Sequence, residues 1–277
     1  MPMERSDIEN GRRRPVVVHV HLFKNAGTSV EAALRELVGS DWRSFDGHES
    51  DGIVTTSSLR ELLVDEPSIR AVSSHQIRPS LDLGENICPV PIVFLRHPLD
   101  RIRSAYDFER NQGAVSESSR VASEASFSDW IEFHREKGSS QVSNFHVMAL
   151  STIRWTETGK LKKATPQDHL QSALGFLRTL PAIGFVEDFD ESLRRMNARV
   201  AAELDLGETA PYQAPTLNIS ASREAALADR LERLRTDLGD DGFVALVEMN
   251  ALDQMLYDWA FARERISRFV QDAALEL

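Results

Sequence analysis

Apolar and polar residues alternate along this chain in a pattern that predicts strands followed by amphipathic helices. Residues Pro15 to Leu22 form a short, β-branched run that is typical of a buried strand. From Thr28 onward, apolar residues recur at three- and four-residue intervals as far as Val38, which predicts a helix with one face on a core, and Gly39 ends it. A strand, a turn and a helix are therefore predicted in the first forty residues.

The same order returns further along the chain. Residues Ile69 to Ser73, Pro91 to Leu95 and Ile183 to Glu187 are predicted strands, and the unbroken apolar run of the second is typical of a parallel sheet covered on both faces. Pro98 opens a predicted helix at its first position. Further helices are predicted at 59–63, from Ser128, from Thr165 to Leu180, from Phe189 to Leu204 and from Ser222 onward. The fold class is α/β, with a mainly parallel central sheet and a helical C-terminal part.

Two segments lie outside this pattern, and one apolar run bears on targeting to a membrane. Residues 1–14 are a polar N-terminal tail, and residues 15–277 are predicted to form a single domain. The segment Asn111 to Ser126 is rich in small and polar residues without periodicity, which predicts a mobile surface loop. The apolar run 16–23 is too short and too polar for a signal peptide, and nothing approaches the ~20 apolar residues that span a bilayer. We therefore expect no membrane insertion.

Charge and cysteine content narrow the classes of partner. The chain has 32 Lys and Arg residues against 43 Asp and Glu residues, a formal charge of −11, which argues against a nucleic-acid-coating surface. The net negative charge repels a polyanionic ligand, so such a ligand would need a local cluster of hydrogen-bond donors and positive charges to bind. Cys88 is the only cysteine, which excludes an internal disulfide and a thiolate metal cluster and favours the reducing cytoplasm.

The turn after the first strand carries groups that bind phosphate. It contains a lysine, small residues and two hydroxyls: Lys24, Asn25, Ala26, Gly27, Thr28 and Ser29. Helix N-termini present unpaired amides and partial positive charge to an anion, and small residues let a ligand approach the backbone. The alternative is an ordinary turn, with Thr28 as the helix cap and Lys24 solvated. Because only 5 of the 32 basic residues are lysines, phosphate binding is favoured.

A second cluster follows the predicted strand that ends at Leu95. Arg96 leaves the carboxyl end of that strand, where ligands bind in open α/β sheets. Arg101 and Ser104 lie further along the following helix, so a guanidinium and a hydroxyl are predicted to converge on one anion. The alternative is that Arg96 pairs with Asp100 and that Ser104 is a helix-surface residue. Two such clusters at neighbouring strand ends favour a ligand with separated phosphates.

These two motifs resemble those of the sulfotransferases that use 3′-phosphoadenosine 5′-phosphosulfate (PAPS), especially the carbohydrate sulfotransferase-like branch and its soluble, bacterial-type members. The segment from His21 to Ser29 is similar to the family's H-x-P-K-T-x-G-T-S loop, which cradles the 5′-phosphosulfate. The segment from Arg96 to Tyr106 is similar to R-D-P-x-x-R-x-x-S-x-Y, whose Arg and Ser bind the 3′-phosphate. The resemblance implies a three-layer phosphate-loop fold with helices flanking the sheet.

The resemblance has weaker parts and departures. Further similarities lie in Ser74-His75, Asn144, Gly184 to Phe189, and Leu217 to Ser220. Departures from the motifs are Phe23 for Pro, Asn25 for Thr, His97 for Asp, and Ser74 for the Gly before His75. None of these changes removes Lys24, Arg96 or Ser104.

The resemblance also implies a reaction. PAPS would be the co-substrate, without a metal, and the acceptor would be a hydroxyl of a carbohydrate or another small molecule. Lys24 would neutralise the leaving oxygen, and His75 would take the acceptor proton, although a plain polar role at a strand end is the alternative. Asn218 and Ser220 would contact the nucleotide from a loop that closes over it, or else belong to a solvated linker.

Two other classes of function compete with sulfuryl transfer. A phosphate-loop kinase or NTPase is disfavoured because the order G-x-x-x-x-G-K-[ST] is missing and no convincing acidic Mg²⁺ partner follows the third predicted strand. A non-catalytic nucleotide-binding module would keep Lys24 and Arg96 without turnover.

Overall fold

The structure is a computed structural model that describes residues 13–47, 52–153, 164–207 and 226–275, with side chains as far as residue 270. These residues contain six strands: β1 (Arg14–Val20), β2 (Trp42–Ser44), β3 (Ala71–Ser74), β4 (Ile87–Ile92), β5 (Phe94–Leu95) and β6 (Gly184–Phe185).

Ten α-helices lie in the same described ranges, and they surround the strands. They are α1 (Gly27–Val38), α2 (Thr56–Asp65), α3 (Pro98–Asn111), α4 (Glu117–Glu124), α5 (Phe127–Glu136), α6 (Phe145–Leu150), α7 (Pro166–Thr179), α8 (Phe189–Glu203), α9 (Leu227–Met249) and α10 (Ala251–Leu275). None of them is both long enough and apolar enough to cross a bilayer.

Four of the six described strands form a parallel sheet with β1 near its centre, and β5 and β6 form a separate two-stranded sheet. The order is β2-β3-β1-β4, and Val17 of β1 lies opposite Ala71 of β3 and Val90 of β4. The chain continues from β4 through Val93 into β5, which pairs in parallel with β6. The carboxyl ends of β1, β3 and β5 therefore open on the same edge of the fold, and the predicted parallel sheet is confirmed.

Side-chain alternation along β1 divides the core into two layers of helices. Val16, Val18 and Val20 pack in one cluster with residues of α2, α6, α7 and α10. Val17 points to the other face and packs with residues of α1 and α8. Each of these valines is at most 2% exposed, and such burial contributes roughly 1.5–3 kcal/mol per side chain. The sheet is thus covered on both sides, so the expected three-layer arrangement is confirmed.

A third cluster lies beside this sandwich and is formed by α3, α4, α5 and α9. Its centre is Trp130, which is fully buried and donates its indole N–H to Glu109 Oε2 at 2.9 Å. This cluster supports the outer face of α3, the helix that carries the second sequence motif.

The prediction of a mobile loop over Asn111 to Ser126 is wrong, because the structure has helix α4 in its second half. Ser116 caps this helix, its Oγ accepting the Ser119 amide while Ser119 Oγ accepts the Ser116 amide at 2.8 Å. Ala122 is buried against the third cluster. A helix of two turns has too few apolar positions to show periodicity. Its capping box also has Ser119 where Glu or Gln is usual, so the sequence does not match the usual motif.

Other boundaries differ from the prediction for local reasons. Strand β2 falls in the polar stretch from Ser40 to Thr56, where pairing with β3 determines the conformation. The predicted strand Pro91 to Leu95 is interrupted at Val93, and its amino-terminal half extends back to Ile87. The predicted strand Ile183 to Glu187 keeps two residues before a 3₁₀ turn. Short strands are stabilised by neighbours that are distant in sequence, so the hydrophobic pattern alone does not predict where they begin and end.

Candidate functional site

The loop between β1 and α1 turns sharply through two left-handed residues. Lys24 has φ 63° and Ala26 has φ 61°, a region that residues with a side chain seldom adopt. The Asn25 amide between them donates to the Leu22 carbonyl at 3.2 Å. Backbone that alternates into the left-handed region gathers N–H groups into a concave surface that suits an anion.

The first turn of α1 begins without a side-chain cap. Ala26 is the N-cap residue, and no acidic residue lies in the first turn. Thr28 lies exposed inside the helix, so the alternative in which it caps the helix is wrong. Ser29 is buried, only 4% exposed. The partial positive charge of the helix N-terminus is therefore not offset by a carboxylate of its own first turn.

Gly27 has a structural reason for its size that the sequence did not reveal. A Cβ at this position would lie 1.8 Å from Cδ2 of the His21 ring, so no side chain fits. His21 Nδ1 lies 2.8 Å from Glu31 Oε1, one turn along α1. The imidazole is thus clamped between the loop and the helix, and it supports the loop from beneath.

Lys24 lies at the mouth of the loop beside two aromatic rings. Its Nζ is 4.2 Å from the centroid of Phe108 on α3, and the Phe23 and Phe108 rings meet edge to face at 5.7 Å. Burial lowers the pKa of Lys24 and Arg96 lowers it further, whereas Asp107 opposes both. The aromatic pair therefore forms a low-dielectric wall that holds the ammonium group in place.

Arg96 brings the second motif into contact with the first. Its Nη1 donates to the Lys24 carbonyl oxygen at 3.2 Å, and its Nε donates to Asp100 Oδ2 at 2.7 Å. The predicted alternative, pairing of Arg96 with Asp100, is therefore present, and it coexists with the contact to the loop. The two sequence motifs meet at the carboxyl ends of β1 and β5.

Asp100 is shared by two arginines. Arg230, on α9, donates from Nε to Asp100 Oδ1 at 2.8 Å. Burial of Asp100 acts to raise its pKa, but the arginines outweigh burial and the pKa is lowered. Arg230 lies 130 residues from Asp100 along the chain, and no motif around it marked it in the sequence.

Arg101 and Ser104 do not converge as predicted. Arg101 is completely buried, its Nη2 donates to the Gln141 carbonyl, and its guanidinium lies 4.4 Å from the centre of the Phe145 ring. Burial lowers the pKa of Arg101 to about 10, against the opposing effect of Asp253. Ser104 is half-buried on α3. Arg101 therefore supports the base of α3 from inside the protein.

His75 follows β3 and packs on the loop. Its Nδ1 donates to the His21 carbonyl at 3.1 Å, and the two imidazole rings lie 3.7 Å apart between centroids. Because a carbonyl only accepts, Nδ1 carries the proton and Nε2 is free to act as a base. Burial and His21 lower the pKa of His75, while Asp46 and Glu31 act to raise it. A neutral His75 at pH 7 follows from this balance.

Three residues beneath the loop have the donor types for a metal ion. Ligand atoms of His19, His21 and Glu31 lie within 4.8 Å of one another. In this structure the Nδ1 atom of His19 is 3.2 Å from Ser73 Oγ, and the Nδ1 atom of His21 bonds to Glu31. Burial places the pKa of His19 well below its ordinary value. The histidines thus belong to a hydrogen-bonded cluster that supports the loop.

His97 and Glu187 join the second motif to the end of β6. The His97 amide donates to Glu187 Oε1 at 2.7 Å, and burial raises the pKa of this carboxyl group. Glu187 belongs to the segment Gly184 to Phe189, which the sequence analysis singled out. The side chain of Glu187 holds the start of α3.

Asn25 is the loop residue whose side chain turns inward, and this role was missed. It is 1% exposed, and its Nδ2 donates to His146 Nε2 at 2.9 Å. No motif in the sequence marks His146 or Asp253, the carboxylate beside its ring. Asn144, which the sequence did single out, accepts the Leu252 and Asp253 amides at the start of α10 and so locks α6 to that helix.

Asn218 and Ser220, the predicted contacts from the polar loop, lie outside the described residues. Their assignment to the nucleotide stays a prediction.

Comparisons with known proteins add one relative and no named activity. No family model matches the chain. An uncharacterized protein of Archaeoglobus fulgidus is 29% identical over 251 residues, which cover 88% of this chain and 95% of that protein. The similarity spans nearly the whole of both chains, but because that protein is uncharacterized it indicates no activity.

Proposed function

We propose that this protein is a sulfotransferase that moves the sulfuryl group of PAPS to a hydroxyl acceptor. The observation that carries the proposal is the bond from Arg96 to the Lys24 carbonyl, which joins the two motifs that resemble the PAPS-binding segments. A ligand with separated phosphates needs two donor clusters a short distance apart.

The donor side of the reaction uses charge and backbone amides. The loop amides and the N-terminus of α1 would hold the 5′-phosphate, and the guanidinium of Arg96 would hold the 3′-phosphate. Lys24, held against Phe108, would neutralise the charge that grows on the bridging oxygen. Because Lys24 and Arg96 supply this positive charge, the proposal requires no metal.

The acceptor side needs a base, and His75 has the proton on the correct nitrogen for that role. Its Nε2 would take the proton of the acceptor hydroxyl while the acceptor oxygen forms a bond to sulfur. The bond between sulfur and the bridging oxygen breaks, and its electron pair stays on the phosphate beside Lys24. The products are a sulfate ester and 3′-phosphoadenosine 5′-phosphate.

Net charge and cysteine content bear on the class of acceptor and on the cellular location of the protein. We propose a carbohydrate or other small-molecule hydroxyl as acceptor, with no nucleic-acid partner, because the net charge of −11 disfavours a polyanion outside the local site. The single thiol, Cys88, fits a reducing compartment such as the cytoplasm.

Calorimetric titration without added metal tests the proposal. We expect 3′-phosphoadenosine 5′-phosphate to bind at least about tenfold more tightly than ADP or ATP, because the 3′-phosphate adds charge-assisted bonds to Arg96. A preference for ATP that requires Mg²⁺ would favour a kinase or NTPase. Tight binding of the 3′-phosphorylated nucleotide without transfer to any hydroxyl in a broad acceptor panel would favour a non-catalytic module.

A further inference from the structure

A buried chain of polar groups connects the phosphate loop to the C-terminal helix. It begins at Asn25, whose Nδ2 lies 2.9 Å from His146 Nε2, and continues to Asp253, whose Oδ2 lies 3.1 Å from His146 Nδ1. All three side chains are at most 1% exposed. The contacts join residues 121 and 107 positions apart in the chain, so only the folded structure creates them.

Asp253 is held rigidly enough to orient a histidine. Its Oδ2 accepts the His146 amide at 2.9 Å and its Oδ1 accepts the Val147 amide at 2.8 Å, so both oxygens are bound to the first turn of α6. Asn144 accepts the Asp253 amide in return. The carboxylate therefore has a fixed position relative to the imidazole beside it.

The contact with Asn25 favours one tautomer of His146. Asn25 Nδ2 is an amide nitrogen that only donates, so Nε2 accepts at 2.9 Å and the proton is assigned to Nδ1, 3.1 Å from Asp253 Oδ2. This arrangement fixes both the ring and the amide of Asn25. Asn25 in turn lies between Lys24 and Ala26, the left-handed residues of the loop.

We propose that His146 and Asp253 are positioning residues that hold the phosphate loop in its binding conformation through the side chain of Asn25. Left-handed backbone is unfavourable for residues with a side chain, so it persists at Lys24 and Ala26 only where surrounding contacts hold it. The Asn25 bond to His146 is an enforcing contact from the core side.

Hydrogen–deuterium exchange of the loop tests this inference without reference to any ligand. In His146→Leu, we expect the amides of residues 21–29 to exchange at least about tenfold faster, with the sheet unchanged. His146→Gln keeps an acceptor for Asn25, so it should restore most of the protection. His134→Leu is the matched control, because His134 is a buried histidine of α5 that packs on Trp130, and its replacement should leave the loop unchanged.

Binding of 3′-phosphoadenosine 5′-phosphate is the second readout, and it alone rests on the proposed function. We expect His146→Leu to weaken it about tenfold or more and His146→Gln to weaken it about threefold or less. The double variant Asn25→Leu/His146→Leu should bind the nucleotide about as weakly as either single variant. Each single change already removes the same contact. The unmodified protein could fail to bind the nucleotide while His146→Leu still speeds amide exchange in residues 21–29. That result would contradict the proposed function and leave this inference intact.

Unchanged loop exchange in a folded His146→Leu would overturn the inference whatever the protein binds. If His146→Leu does not fold, ¹⁵N spectroscopy of the unmodified protein decides the matter. We expect an unprotonated His146 Nε2 with a through-bond ¹⁵N–¹⁵N coupling to Asn25 Nδ2, 2.9 Å away, and absence of that coupling would remove the bond on which the inference depends.

Discussion

The guanidinium of Arg96 donates a hydrogen bond to the backbone carbonyl of Lys24 across 3.2 Å, although 72 residues separate them in the chain. One residue begins the segment after β5, and the other lies in the loop after β1. Parallel strands bring their carboxyl ends to one edge, so two motifs that are far apart in sequence face a common ligand there.

Lys24→Ala should reduce turnover far more than nucleotide affinity. Removing the charge beside the leaving oxygen is expected to lower kcat by about 10²–10³, because the charge develops only in the transition state. The affinity for 3′-phosphoadenosine 5′-phosphate should change by less than about tenfold. Sulfuryl transfer from PAPS and calorimetry measure the two quantities. Lys137→Ala is the control, since Lys137 is exposed and pairs with Glu117.

Arg96→Ala should weaken the 3′-phosphorylated nucleotide specifically. Loss of charge-assisted bonds worth about 1.5–3 kcal/mol corresponds to roughly 10- to 150-fold in affinity. ADP, which lacks the 3′-phosphate, should lose much less affinity, because it is affected only by the loss of the Arg96 bond to the Lys24 carbonyl. Titration of both nucleotides against the variant and against Arg96→Lys makes the comparison. An equal loss for the two nucleotides would show that Arg96 does not hold the 3′-phosphate.

His75→Gln should remove the base and with it the low-pH limb of the activity profile. Because burial and His21 lower the pKa of His75 below 6.5, its neutral form dominates at pH 7. We expect kcat/KM to be constant from about pH 7 to 8 and to fall below that pKa, and the variant to lose about 10²–10⁴. Rates across this range for the unmodified protein, His75→Gln and the control His169→Gln provide the test. Full activity in His75→Gln would assign the base elsewhere.

Phe108→Leu should lower turnover modestly by releasing the Lys24 ammonium. The ring lies 4.2 Å from Nζ and is 42% exposed, which places its contribution at about 0.5–1 kcal/mol, or two- to fivefold in rate. Leucine keeps an apolar surface without the ring quadrupole, and Phe108→Tyr keeps the quadrupole. The expected order of kcat is therefore unmodified protein, then Tyr, then Leu. A Leu variant with unchanged kcat and nucleotide affinity would exclude a role for the ring.

His134 should make the fold less stable in mild acid. Burial lowers its folded pKa to about 4, below the unfolded value of about 6.5. The unfolded state therefore binds the proton first, and stability that is complete above 6.5 declines as the pH falls toward 4. The loss from this residue alone is on the order of 2 kcal/mol by pH 5. Urea unfolding at pH 7.5 and pH 5 should show a smaller pH effect in His134→Gln than in the unmodified protein.

Hydrophobic patterning was sufficient for the fold class. The β-branched run before Leu22 and the regular apolar spacing from Val30 to Val38 predict a strand and a helix from local preferences, and both are confirmed within a few residues. Pairing in parallel follows because helices separate the strands. The same reasoning failed over Asn111 to Ser126, where a two-turn helix depends on a serine cap and on Ala122 packing against its neighbours.

The sequence by itself determined the α/β layers and the two segments rich in phosphate-binding groups, because periodicity and residue type are local properties. Only the tertiary structure decided what surrounds Lys24, Arg96 and Asn25. Arg230, His146 and Asp253 reach the site from helices more than 100 residues away from their partners, so no local pattern marks them. Their roles arise from burial and hydrogen bonding, which exist only once the chain has folded.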